Sequence, residues 1–226
     1  MMSEADRILE ELRRREREIP ADFYSLDQPA NLFLRQGQER ALRKALEEIG
    51  RLAGKRVLEV GCGSGNWLEM MEEKLEGASL AGIELDPGRA ASAAARFPGA
   101  DIRSGDASRL PWESGSFDIV LQSTVFSSIL DPDMRRAVAS EMLRVLAPGG
   151  AILWYDFFVN NPSNLHVRGV RRREIEALFP GCRVALRRTT LAPPLARRIV
   201  PVSWNLAALL ESLRVLDTHY FGVILR

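Results

Sequence analysis

Between residues 55 and 158 five short apolar runs alternate with helical stretches: "RVLEV", "ASLAGIEL", "ADIRSGDA", "SFDIVLQS" and "AILWYDFF". Strands that alternate with helices cannot pair as hairpins, so they predict a parallel sheet with helices over both faces, an α/β fold. The intervening stretches carry their own start signals. Pro87 opens "PGRAASAAARF" from its first turn, Asp131 caps "DPDMRRAVASEMLRVL", and "APGG" ends that helix before the fifth strand. Upstream, Ser3 is the expected cap of a first helix stopped by Pro20, with a mixed-charge solvated face at Arg13, Arg14 and Arg15. A second helix follows Pro29, with Leu42, Leu46 and Ile49 as its apolar stripe. Downstream, "RRREIEALF" reads as a helix and "CRVALRRTTL" as a strand. "APPLARRIVPVSWNLAALLESL" is a proline-punctuated helical insert, and "THYFGVIL" a last strand.

The first of the five runs continues as "VLEVGCGSGNW", placing Gly61, Gly63 and Gly65 at alternate positions behind Glu59. A dinucleotide fingerprint needs its third glycine one place later, where this chain has Asn66. A P-loop needs Gly-Lys-Ser/Thr, where it has "GNW". Phosphate is therefore a poor ligand for this loop. A nucleoside carrying an amino acid, or merely a tight turn, remains.

Three further features recur at the carboxyl ends of successive strands, the edge where open α/β sheets bind ligands. Glu84 ends "LAGIE" at about the 20-residue offset that sets a carboxylate against ribose hydroxyls. Asp106, in "SGDASRLPW", is placed to accept from a purine's exocyclic amine, with the Ala107 amide beside it. Gln122 and Ser123 emerge at the end of the fourth strand.

Together with "EMLRVLAPGGAILWYDF", these segments resemble the class I S-adenosylmethionine-dependent methyltransferases of the small-molecule type 11 kind, over roughly residues 57–157. The resemblance implies a Rossmann-like, seven-stranded, mostly parallel sheet in which "THYFGVIL" is the one antiparallel strand. It implies that Glu59, Gly61, Gly63 and Gly65, with Cys62 in the same loop, shape the pocket for the methionine part of S-adenosyl-L-methionine. Glu84 would take the ribose, Leu85 would pack the adenine, Asp106 and Ala107 would fix its edge, and Gln122 would face the methionine portion. Residues 1–50 would form a helical extension folding over the cofactor as a lid, in which Tyr24 precedes the core and Arg35 pairs with the methionine carboxylate. Residues 51–226 would be the methyltransferase domain, with a substrate-side insert at about 193–213. Many relatives carry a histidine after the fourth strand, where this chain reads "VFSSIL" with Ser127 and Ser128.

The expected reaction is in-line methyl transfer to the oxygen or nitrogen of a small molecule: a sugar, polyketide or other secondary metabolite. A non-catalytic binding module and a nucleic-acid methyltransferase are the alternatives. His166, after the polar "NNPSN" loop, is the candidate to touch substrate, and His219 is read as structural. Trp204 and Phe158 are candidate walls of an apolar pocket, though core packing suits both. A net charge of +1 on 226 residues, 46% of them apolar, predicts no nucleic-acid or membrane partner, and a monomer or homodimer. With only Cys62 and Cys182 and no metal-ligand spacing, no metal is expected, and a reducing cytoplasm is the simplest location.

Overall fold

Val57, Leu58 and Val60 are fully buried in the strand that follows the N-terminal helices, and that burial on both sides marks the centre of the molecule. The computed structural model describes residues 2–20, 22–50, 54–161 and 164–226. The expected junction at residue 51 and the middle of the "NNPSN" loop, Pro162 and Ser163, lie outside them.

Two helices come first, α1 (Glu4–Glu18) and α2 (Pro29–Ile49). The alternation then runs β1 (Arg56–Val60), α3 (Asn66–Lys74), β2 (Ser79–Glu84), α4 (Pro87–Arg96), β3 (Asp101–Ser104), β4 (Phe117–Ser123), α5 (Pro132–Val145) and β5 (Leu146–Phe157). It ends with α6 (Arg172–Leu178), β6 (Arg183–Leu191), α7 (Pro193–Ile199), α8 (Trp204–Ser212) and β7 (Asp217–Leu225). The caps expected at Ser3 and Asp131 form, and Asp86 adds one ahead of Pro87. The Ser3 side chain accepts from the Asp6 amide, Asp86 from that of Arg89, and Asp131 from that of Asp133.

Among the described residues seven strands form one sheet in the order β3-β2-β1-β4-β5-β7-β6. β7 runs antiparallel to both β5 and β6, and the other pairings are parallel. Strand order reverses between β1 and β4, and such a reversal opens a crevice at the carboxyl ends of the strands. Alternation along each strand sorts the core into two layers. Leu58, Val60, Val120, Ile152 and Trp154 join Val138 and Met142 of α5 and Ile175 of α6. Val57, Ile119, Leu121, Leu153 and Tyr155 join Leu42 and Leu46 of α2 and Leu68 and Met71 of α3. The second half of α2 is thus part of the main core. Phe33 and Ala30, from its first half, pack instead with Ala196 and Ala207 of α7 and α8.

One boundary differs from the sequence reading. β5 starts at Leu146, paired with Phe117, and "APGG" lies inside it rather than ahead of it. The register shifts between Phe117 and Ile119, and the glycines absorb the irregularity. Gly149 takes a φ of 74°, and a side chain on Gly150 would meet the Asp118 carbonyl at 2.8 Å.

Candidate functional site

The crevice at the strand reversal is a cavity of about 620 Å³, within the range of small-molecule sites. Its floor is the glycine loop. Gly61 and Gly63 have φ of 68° and 54°, where a β-carbon is disfavoured. A side chain on Gly61 would stand 2.4 Å from Val125, and one on Gly63 2.7 Å from the Arg89 guanidinium. The loop's amides face inward. Gly61 and Cys62 donate to the Ile83 carbonyl, Gly63 to Glu84 and Gly65 to the Cys62 carbonyl. An anion cradle needs such groups aimed at the ligand, so the geometry argues against phosphate.

Two buried carboxylates flank the loop. Glu84 accepts from the Gly63 amide at 2.8 Å and the Asp86 amide at 3.0 Å, one bond on each oxygen. Each oxygen retains acceptor capacity toward the cavity it lines. Glu59 accepts from the Leu68 amide in the first turn of α3. Burial pushes its pKa well above the ordinary carboxylate range, and the nearby Glu84 charge adds to that, against the Leu68 hydrogen bond. Leu85, Asp106 and Ala107 line the same cavity, as does Cys62, whose thiol burial makes harder to ionise. Asp106 spends one oxygen on the Ser108 amide, at 2.8 Å.

A second polar group comes from β5, β6, β7 and α2. The Tyr155 hydroxyl shares a 3.0 Å hydrogen bond with Thr190 and accepts one from Gln38 at 3.1 Å. Burial pushes Tyr155 up to about 12. The His219 ring lies parallel to that of Tyr155 at 4.7 Å, and burial depresses it to about 3, so it is neutral at physiological pH. Thr190 and Thr124 both line the cavity at φ of 69° and 56°. Branched residues at positive φ are uncommon, and such strain concentrates at functional sites.

The remaining expected residues are placed otherwise. Gly65 does not line the cavity: it sits at the start of α3 under Phe97, whose ring a side chain would meet at 2.4 Å. Gln122 is fully buried, accepting from the Val125 amide and donating to the Tyr155 carbonyl, and its neighbour Ser123 faces the cavity instead. His166 is exposed, 3.8 Å from Glu11 on α1, and stands outside the cavity. Arg35 does line it, but Glu39 and Glu69 hold its guanidinium at 3.0 and 2.9 Å. Trp204 packs edge-on against Phe33, and Phe158 stacks on Tyr220.

Sequence reasoning did not find Tyr155, Thr190 or His219 as cavity residues, nor Ile8 and Leu12 of α1. No motif marks them. Only the insertion of β7 beside β5, which sets Phe157 opposite His219, brings the ring pair to the crevice.

Residues 57–150 match a family model described as a methyltransferase domain. Over these residues the chain is similar to S-adenosylmethionine-dependent methyltransferases. A phthiotriol/phenolphthiotriol dimycocerosates methyltransferase of Mycobacterium ulcerans is 42% identical over 115 residues, 50% of this chain and 40% of that protein. A demethylmenaquinone methyltransferase of Beutenbergia cavernae is 33% identical over 128 residues, 56% of this chain and 51% of that protein. The matches thus span about half or less of these curated relatives. A solved methyltransferase of Aquifex aeolicus shares the fold with a TM-score of 0.60 at 17% identity, over 88% of this chain and 94% of that one. The cofactor that such a domain implies is S-adenosylmethionine, and the residues present fit it. Glycines leave the floor open, carboxylate oxygens suit hydroxyl donors, and no phosphate cradle is required.

Proposed function

We propose that this methyltransferase methylates the oxygen or nitrogen of an apolar small molecule, a polyketide or similar secondary metabolite rather than a sugar. One observation carries the reading: beyond the glycine floor the cavity wall includes an apolar set, Ile8, Leu12, Leu26, Leu34, Met134 and Val138, while its polar Asn31 and Gln38 are spent on the Phe23 and Ser25 carbonyls and on Tyr155. Such walls favour hydrocarbon, whereas a sugar needs paired polar groups along its length. The two curated relatives, whose names refer to phthiotriol dimycocerosates and demethylmenaquinone, support the same class of acceptor.

S-adenosylmethionine supplies a methyl group already activated by a positive sulfur. The protein's task is therefore to bind, align and exclude water. In this reading Glu84 accepts from the ribose hydroxyls, Asp106 and the Ala107 amide meet the adenine edge, and Leu85 packs its face. Glu59, Gly61, Cys62 and Gly63 border the methionine portion. The Tyr155 hydroxyl and the neutral His219 ring orient the acceptor's polar atom. α1 and residues 23–38, with α7, act as the lid, while the second half of α2 stays in the main core. Tyr24 bonds Arg15 at 2.9 Å, and Arg197 of α7 lies 4.3 Å from the Phe23 ring centre, so three segments meet over the cavity.

The test is transfer of labelled methyl from S-adenosylmethionine to a panel of apolar hydroxyl and amine compounds, sugars and RNA. Turnover confined to the apolar compounds is expected. Turnover on RNA or sugars alone would overturn the reading.

A further inference from the structure

The insert that ends in α8 has a face the methyltransferase reaction does not use. α8 turns Ala207 and Glu211 inward, where Glu211 pairs with Arg40 at 2.9 Å. Its outer face shows Leu206, Leu209 and Leu213, 46%, 57% and 59% exposed, at helical spacings of three and four. Val202 and Val215 extend the stripe at 84% and 73% exposure. Between Val200 and Leu216 the charged residues are Glu211 and Arg214, and both are engaged in ion pairs. A contiguous exposed apolar strip of this kind marks an interaction surface.

The charge around it selects the partner. Residues 183–216 contain six arginines and one acid, Glu211, and although Arg187 and Arg214 pair with Glu48 and Asp217 the segment stays basic, whereas the whole chain carries a net charge of +1. The near-neutral total, which predicts indifference to membranes, averages away a basic, apolar segment. Arg198 is exposed at the end of α7. Arg188 turns its guanidinium over the Phe158 ring, 5.2 Å from its centre, and only its carbonyl meets Arg214 just beyond α8. An apolar helix face in a basic segment, with Arg198 exposed at the end of the preceding helix, matches the boundary of an anionic bilayer, where leucines enter the acyl region and guanidinium groups meet lipid phosphates. Among the described residues no helix is long and apolar enough to cross a membrane.

We propose that the α7–α8 surface docks on anionic lipid bilayers, with Leu206, Leu209 and Leu213 inserted and Arg198 on the phosphates. α7 also borders the cavity through Pro193 and Arg197, so docking sets the cavity beside the bilayer as a source of apolar acceptor. That delivery role rests on the apolar-acceptor reading; the docking does not.

The experiment is co-sedimentation of the full chain with vesicles of phosphatidylcholine alone or mixed with phosphatidylglycerol, with no methyl transfer involved. Failure here leaves the acceptor reading intact, and failure of that reading leaves this result intact. The protein should pellet with the anionic vesicles and stay in solution with the neutral ones. Leu209→Asp with Leu213→Asp should weaken binding about tenfold or more, and Arg198→Glu about fivefold. Calorimetry with S-adenosylhomocysteine on the same variants should show the cavity unaltered. Equal pelleting with both vesicle types, or with neither, overturns the proposal. A dimer in sedimentation velocity that Leu209→Asp dissociates, with no vesicle binding, would assign the face to a second copy and also overturn it.

Discussion

The main-chain amide of Gly63 donates a 2.8 Å hydrogen bond to the Glu84 carboxylate, tying the loop after β1 to the end of β2. The other carboxylate oxygen accepts from Asp86, which caps α4. One acidic side chain thus holds the glycine turn and the start of the next helix while lining the cavity. The fold in which the loop sits and the ligand contact proposed for Glu84 share the same two oxygens.

Gly61 should tolerate no side chain. Alanine there adds a β-carbon at positive φ and 2.4 Å from Val125, on the β4 side of the crevice. A cost of about 1–3 kcal/mol is expected from strain and overpacking. Chemical denaturation of Gly61→Ala measures it, and wild-type stability would mean that Val125 yields freely.

Tyr155→Phe removes the hydroxyl that joins Thr190 to Gln38. It leaves the Gln38 donor unpaired in a half-buried position, at a cost of about 1–2 kcal/mol. If the hydroxyl orients the acceptor, the acceptor's KM or kcat should worsen while S-adenosylhomocysteine affinity stays constant. Loss of cofactor affinity alone would place Tyr155 on the other side of the transferring methyl.

His219 gives the stability a pH dependence of definite sign. Its folded pKa, about 3, lies below the unfolded value of 6.5, so the unfolded chain binds more protons between them. Its contribution is complete above pH 6.5 and is lost as pH falls, by up to about 1.4 kcal/mol per unit. Asp156, raised from 3.8 to about 6 by burial, acts oppositely: its contribution is present below 3.8 and is lost as pH rises through 6. The two offset each other in wild type, so the stability difference between wild type and His219→Gln is the readout. That difference should shift toward the variant as pH falls below 6.5. A difference independent of pH would mean the ring is solvated.

Much of the fold was legible because its signals are local. Ser3 and Asp131 each cap a helix through a side chain a few residues from its partner, Pro87 opens another from its first turn, and Glu84 lies where a fixed strand offset puts it. The unread parts depend on contacts between distant segments. His219 meets Tyr155 only because β7 inserts beside β5. Arg35 is held by Glu69 from another helix, and Gln122 points into the turn after β4 rather than into the cavity. His166 follows β5 in the sequence, yet its loop carries it out to α1. The charge of the α7–α8 insert disappears in a whole-chain sum.

The lid should respond to ligand. Residues 23–38 are held by their own bonds, Asn31 donating to the carbonyls of Phe23 and Ser25, and few of them reach the main sheet. Hydrogen exchange with and without S-adenosylhomocysteine should show protection gained in this segment while β1 and β4 stay unchanged. Equal protection in both states would return Tyr24 and Arg35 to an ordinary surface.

Calorimetric titration of S-adenosylhomocysteine into wild type and Glu84→Ala tests the cofactor site most directly. Glu84→Ala removes both the acceptor for the ribose and the anchor of the Gly63 amide, so binding should weaken by about 1–3 kcal/mol or more while far-UV circular dichroism stays native. Unchanged affinity in a folded Glu84→Ala protein, or no binding by wild type, would contradict the account.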